Sequence, residues 1–251
     1  MPKEPRQRNR DNQPKGDTLT RNLVLGMVGL VVISGVIFTV LDRQSAKKTD
    51  FDVAIEKVDA ANNGPILNAS IDPADDFGIA FNKGTLPKIE VWEDPRCPFC
   101  KDFETEIGDY LDELVRGNQA EVTYRLTSFI GRQRDPNESA LAANAAFCAA
   151  DEGRFLDYHK AIYTVQGAEN SGTYLAPNLL EIGKRLNITS TAFQDCINNV
   201  KYSNEVETVY NSMPKYNVKG TPTVFINGTV WQRSGAEFKL DEFRAAVEAA
   251  K

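Results

Sequence analysis

The sequence of 251 residues holds one histidine (His159), two tryptophans, three methionines and four cysteines. These scarcities close several routes. A structural zinc site takes about four ligands, commonly from two knuckles of fixed spacing. Cys148 and Cys196 are single, far apart and embedded in helical patterns, and His159 stands alone in "DYHKAIY". No metal is therefore expected. No internal period marks a repeat array, and 41% hydrophobic with 25% charged residues is the composition of a packed soluble domain. A basic surplus is also missing from most of the chain. The first 21 residues carry Lys3, Arg6, Arg8, Arg10, Lys15 and Arg21 against Glu4, Asp11 and Asp17. Of 29 basic and 35 acidic residues, the remainder keeps 23 and 32, a net charge of −9. Phosphate binding needs clustered Lys and Arg, so nucleic acid is not the expected partner.

What is present, directly after that basic leader, is one run without charge: "LVLGMVGLVVISGVIFTVL", residues 23–41. Nineteen residues are about enough to cross a bilayer's hydrocarbon core. A cleaved signal has a shorter apolar run and a small-x-small site, which "TVLDRQSAKK" does not supply. The expected organisation is a basic tail over 1–22, a transmembrane anchor over 23–41, a stalk over 42–74 and an α/β domain over 75–251. Basic residues before the span outnumber those just after it (Arg43, Lys47, Lys48, Lys57). The N-terminus is then cytoplasmic and the domain extracytoplasmic, where disulfides persist.

Along the domain, "FGIAF" (77–81) and "PKIEVWE" (87–93) read as strands. Phe99, Phe103, Ile107, Leu111 and Leu114 follow at helical spacing until Gly117. "EVTYRLTSF" (121–129) is the next strand, and helical patterns fill about 137–215. "TPTVFI", Asn227-Gly228 and "TVWQR" form a hairpin, since Asn-Gly is a strong turn signal. "LDEFRAAVEAA" closes the chain as an amphipathic helix.

Cys97 and Cys100, in "EDPRCPFC", thus lie where a strand ends and a helix begins. Ligand and reaction sites of open α/β sheets gather at that edge. A thiolate there meets unpaired backbone N–H groups and the positive end of the helix dipole, which lower its pKa. Pro98 suits the first helical turn. Cys97 is expected to be the exposed, activated sulfur and Cys100 the resolving thiol. A purely structural bridge between them would constrain little, because the loop is so small.

The strand running into "EDPRCPFC", the helix after it and the distant "GTPTVFING" resemble the thioredoxin superfamily. A helical insertion at about 130–215 resembles its DsbA-like branch of extracytoplasmic thiol-disulfide oxidoreductases. The anchored form is similar to membrane-bound actinobacterial members. The resemblance covers about 75–251. It implies a thioredoxin-like fold without a cofactor, with Thr221-Pro222 as the cis-proline loop that cradles substrate. A proline there is suited to a cis bond and leaves neighbouring backbone free to pair with an extended peptide. It further implies reduced exported proteins as substrates and a membrane reoxidising partner of the DsbB or vitamin K epoxide reductase-like type.

Two departures matter. Strongly oxidising members have histidine where this chain has Phe99, which neither carries charge nor donates. A less depressed Cys97 pKa and a milder oxidant follow, with Arg96 compensating in part and Glu93 and Asp94 opposing. The buried acid often found six residues before the first cysteine is Val91 here, and strand alternation points neighbouring Glu90 to the opposite face. Neither Glu90 nor Glu93 is expected to relay protons, and His159 reads as a non-catalytic helix-face residue. In an oxidising compartment the two remaining cysteines usually pair. Cys148–Cys196 is the expected structural disulfide, with two buried free thiols as the alternative. The expected function is an enzyme, a monomer, that introduces disulfides into exported proteins. The alternatives are a reductase or isomerase of the same fold, as in cytochrome c maturation, and a non-catalytic anchored peptide-binding module.

Overall fold

Strands and helices alternate through the first half of the computed structural model, which describes residues 48–251 apart from 135 and 170. In order come α1 (Asp50–Ala54), β1 (Ser70–Ile71), β2 (Ile79–Phe81), β3 (Lys88–Glu93), α2 (Pro98–Arg116) and β4 (Glu121–Leu126). Five helices follow: α3 (Glu138–Asp151), α4 (Phe155–Val165), α5 (Ala176–Arg185), α6 (Thr191–Asn198) and α7 (Ser203–Ser212). The hairpin strands β5 (Thr223–Ile226) and β6 (Thr229–Val230) and the helix α8 (Leu240–Ala249) complete the chain.

The sheet order is β1-β2-β4-β3-β5-β6. β3 and β4 run parallel, in register from Lys88 opposite Glu121 to Glu93 opposite Leu126, and every other pair is antiparallel. Parallel neighbours need a crossover, and α2 is that crossover. Both central strands are buried on both faces, which explains why "VWE" and "VTYRL" show no clean alternation.

α2 forms because Phe103, Ile107, Leu111 and Leu114 fall on one face and are buried there. Phe103 meets Phe238 and Phe243 edge-on at 5.4 and 6.0 Å, clamping α2 to the C-terminal helix. Burial of one such ring contributes about 1.5–3 kcal/mol. Gly117 caps the helix with ordinary φ; the left-handed turn falls on Asn118 (φ 51°). Asn227 and Gly228 both take positive φ, the two-residue turn their identities called for. β6 stops at Val230 rather than running on, because Trp231 turns its ring onto Phe238 and Phe243.

Cys148 of α3 and Cys196 of α6 are joined, with S–S 2.02 Å and Cα–Cα 5.9 Å. The stalk reading of 42–74 needs correction from residue 49 onward, since Thr49–Lys251 form one compact unit. Ile55 and Val58 are buried in its core, and Arg116 and Arg154 hold the carbonyls of Pro65 and Gly64. Phe51, Val53, Ile55 and Val58, scattered among polar residues, make too short a pattern to reveal this. The tail over 1–22 and the apolar run over 23–41 lie outside the described residues. Among the described residues no helix is long and apolar enough to cross a membrane.

Candidate active site

β3 delivers the chain to the site. After Glu93 the strand ends at Asp94-Pro95-Arg96, and Cys97 is the N-cap residue of α2 with extended backbone (φ −72°, ψ 119°). No side chain caps the helix there, so its first N–H groups remain available to the sulfur. The loop is held from several sides. Asp94 accepts from Arg96 N at 2.9 Å, Ser139 Oγ at 2.6 Å and Ile130 N at 2.9 Å. Burial nevertheless outweighs those bonds and raises its carboxyl to about 6. Gln166 donates to the carbonyls of Pro95 and Cys97, and the Tyr174 hydroxyl donates to Pro95 O. The helical insertion therefore fixes the redox loop.

Cys97 and Cys100 are both free thiols. Cys97 Sγ lies 3.4 Å from the carbonyl oxygen of Thr221, whose peptide bond to Pro222 is cis. Thr221 Oγ1 is buried without a partner in ordinary hydrogen-bond geometry, which leaves it free to turn onto the sulfur. The Cys100 thiol, the Thr221 hydroxyl and the backbone N–H groups of Cys100 and Phe99 bring the Cys97 thiol down to about 6, against the opposing pull of burial. The Cys100 thiol goes the other way. Burial first, then Cys97 and the charge of Glu93, push it well above its ordinary value. One cysteine of the pair is thus built to ionise and the other to stay protonated.

Several expectations change here. Cys97 is not the exposed sulfur: it is 4% exposed, while Phe99 is 55% exposed. Phe99 reaches the thiolate only through its backbone N–H. Its ring lines a cleft of about 310 Å³ with Pro222, Trp231, Arg233 and Phe238. A Cys97 pKa of about 6 lies between the values typical of strongly oxidising members and of thioredoxin. Arg96 does not support the thiolate, because its guanidinium is buried 2.8 Å from Glu138 Oε2 and donates to Ala168 O at 2.7 Å. It ties the redox loop to α3 instead.

Glu93 is wholly buried. Its Oε2 lies 2.9 Å from His159 Nε2, and burial raises its carboxyl to about 8. Its charge also bears on Cys97 and Cys100. His159 is buried too, stacked on Phe155 and edge-on to Tyr163, with Nδ1 3.6 Å from Glu104 Oε2. Sequence reasoning missed this trio, although signals existed. Glu93 shares Val91's strand face, Glu104 is four residues after Cys100 on the same helix face, and His159 is spaced by four from Phe155 and Tyr163. Among the described residues, these three alone form a group of metal-capable side chains. Glu90 points to the opposite face, 3.0 Å from Arg125 Nε.

A family model described as thioredoxin matches residues 82–249. Among solved structures, DsbA from Mycobacterium tuberculosis in its reduced form is similar, at 26% identity and a TM-score of 0.57. The match covers 75% of this chain and 89% of that one. MdbA, a thiol-disulfide oxidoreductase from Actinomyces oris, shares the fold at 18% identity and a TM-score of 0.60, covering 80% and 98%. A Na(+)/H(+) antiporter NhaA of Salinispora tropica is 23% identical over 189 residues, 73% of this chain but 26% of the antiporter. The chain thus spans about a quarter of that curated relative. The strand-loop-helix placement of Cys97 and Cys100 opposite Thr221-Pro222, the insertion and the matched span agree: the chain belongs to the thioredoxin family, in its DsbA-like branch of thiol-disulfide oxidoreductases.

Proposed function

We propose that the chain introduces disulfide bonds into exported proteins from the outer face of a membrane, tethered by the apolar run over 23–41. One observation carries the reading. The low-pKa sulfur of Cys97 lies 3.4 Å from the Thr221 carbonyl, ahead of cis Pro222, with buried, protonated Cys100 behind it.

The reaction starts from the Cys97–Cys100 disulfide. A substrate thiolate attacks Cys97 Sγ. The S–S bond breaks, its electron pair goes to Cys100, and Cys100 takes up a proton because its thiol is stable in that buried place. Substrate and Cys97 are now joined, with the substrate backbone beside the Thr221-Pro222 loop. A second substrate thiolate attacks the substrate's own sulfur in that bond. Cys97 leaves as a thiolate, for which a pKa of about 6 makes it a good leaving group at neutral pH. The substrate carries away the disulfide and the protein keeps the dithiol. Reoxidation falls to a membrane partner of the DsbB or vitamin K epoxide reductase-like type, and the domain acts as a monomer.

Equilibrating the Cys97–Cys100 pair against a glutathione buffer tests the direction. A potential nearer about −120 mV than −270 mV supports the oxidase reading, and a value near −270 mV makes the protein a reductase.

A further inference from the structure

Beneath the redox pair lies a group of side chains that disulfide exchange does not account for. Glu93 ends β3, Glu104 is on α2 and His159 on α4. One ligand atom from each lies within 4.8 Å of the others. His159 presents a nitrogen to each carboxylate, Nε2 to Glu93 at 2.9 Å and Nδ1 to Glu104 at 3.6 Å. Those contacts use Oε2 of both glutamates, while Glu93 Oε1 and Glu104 Oε1 are buried with no hydrogen-bond partner. A buried acceptor left unpaired costs about 1–3 kcal/mol, more when charged. The two carboxyl groups also face each other closely enough to share a hydrogen bond, so either a proton between them or a cation in its place satisfies the pair.

The cluster is also reachable. A cavity of about 320 Å³ is lined by Glu104, Asp112, His159 and Tyr163, with Lys101 and Lys160 beside them. Lys101 is engaged with the Gln166 carbonyl and Lys160 with Asp109. We propose that Glu93, Glu104 and His159 form a binding site for a divalent transition-metal cation, of which Zn2+ is the best match. Two carboxylate oxygens and one imidazole nitrogen are a donor set zinc accepts, and water from the cavity can complete a four-coordinate shell. Donor atoms around a tetrahedral zinc stand about 3.4 Å apart, so the three must close by roughly 1 Å. Three oxygen-poor donors are too few for Ca2+, which takes six to eight oxygens. The site is separate from the thiols, and Glu93 links it to them through the charge that bears on Cys100.

The test uses the full chain in detergent, oxidised so that Cys97 and Cys100 are joined and cannot ligate. Zn2+ is titrated against a competing chromophoric chelator, and Co2+ is added separately as a spectroscopic probe. The expected result is one equivalent of Zn2+ and a Co2+ spectrum with ligand-field bands but no sulfur charge transfer. Glu104→Gln should weaken Zn2+ binding at least about tenfold, or about 1.4 kcal/mol. Asp109→Asn, on the cavity rim, and the Cys97→Ser/Cys100→Ser pair should leave it unchanged. No uptake by the oxidised protein overturns the proposal, since a shared proton then suffices for the two oxygens. Binding that survives Glu104→Gln or vanishes with the cysteines overturns it equally. Should Glu104→Gln fail to fold by circular dichroism, the wild-type Co2+ spectrum decides: sulfur charge transfer or no spectrum refutes the site.

Discussion

Replacing Thr221 by valine removes one hydroxyl and keeps the shape, the carbonyl and the following cis Pro222. The Cys97 thiol stands at about 6 instead of its ordinary 9.0. At about 1.4 kcal/mol per unit that shift is worth at most ~4 kcal/mol. Solvent screening at the mouth of the Phe99–Pro222 cleft lowers the figure to about half. The Thr221 hydroxyl supplies part of it. A hydrogen bond to a charged group contributes about 1.5 kcal/mol at the low end, or roughly one pKa unit. Thr221→Val should therefore move Cys97 from about 6 to about 7, and the thiolate fraction at pH 7 from about nine-tenths to about one-half. The reduced form loses about 1 kcal/mol at that pH, which makes the pair about 20 mV more reducing. The assay is the rate of iodoacetamide alkylation of reduced protein against pH. Cys100 does not interfere, because its thiol titrates far higher. An unchanged midpoint, within about 0.3 unit, would refute the role given to Thr221.

Other consequences are open to measurement. Cys97 has a folded pKa below its unfolded one, so the reduced protein gains stability from it fully above pH 9 and loses it as pH falls toward 6. The urea midpoint of the reduced form minus that of the oxidised form should rise from pH 6 to pH 9; a flat difference contradicts the depressed pKa. Removing the Cys148–Cys196 bridge, a sequence separation of 48, should destabilise by about 4 kcal/mol, read from urea unfolding. A loss below about 1 kcal/mol would show that α3 and α6 are already held by packing alone. Arg96→Met leaves Glu138 buried without its cation and should destabilise by about 3–5 kcal/mol, while the Cys97 alkylation midpoint stays put. A midpoint shift would return to Arg96 the electrostatic role that its pairing with Glu138 denies it.

Much of this molecule is legible before any coordinate is known, and the exceptions share one cause. The strand, Cys97-Pro98-Phe99-Cys100 and the helix after them are local, so spacing, the Pro98 start and the Gly117 stop reveal them. The Asn227-Gly228 turn is local as well. The Thr221-Pro222 loop is visible only because family resemblance links it to cysteines more than a hundred residues away. What stays hidden depends on three-dimensional convergence. Glu93, Glu104 and His159 come from three elements, and each alone looks like an ordinary polar residue in an amphipathic or strand pattern. Cys97 belongs at a helix start, where exposure is the natural expectation, yet the insertion and the Thr221 loop cover it. Arg96 beside a cysteine reads as a thiolate partner until Glu138, 42 residues on, claims it. The packing of Ile55 and Val58 is equally invisible in a polar segment.

The central claim is that substrate sulfur joins Cys97 and displaces Cys100 from it. A Cys100→Ala variant, expressed in cells and recovered under acid quench, tests this most directly. The account predicts exported proteins joined to the variant through Cys97, released by reductant and absent from a Cys97→Ser/Cys100→Ala control. Recovery of no disulfide-linked partner, or of the same partners from that control, would contradict it.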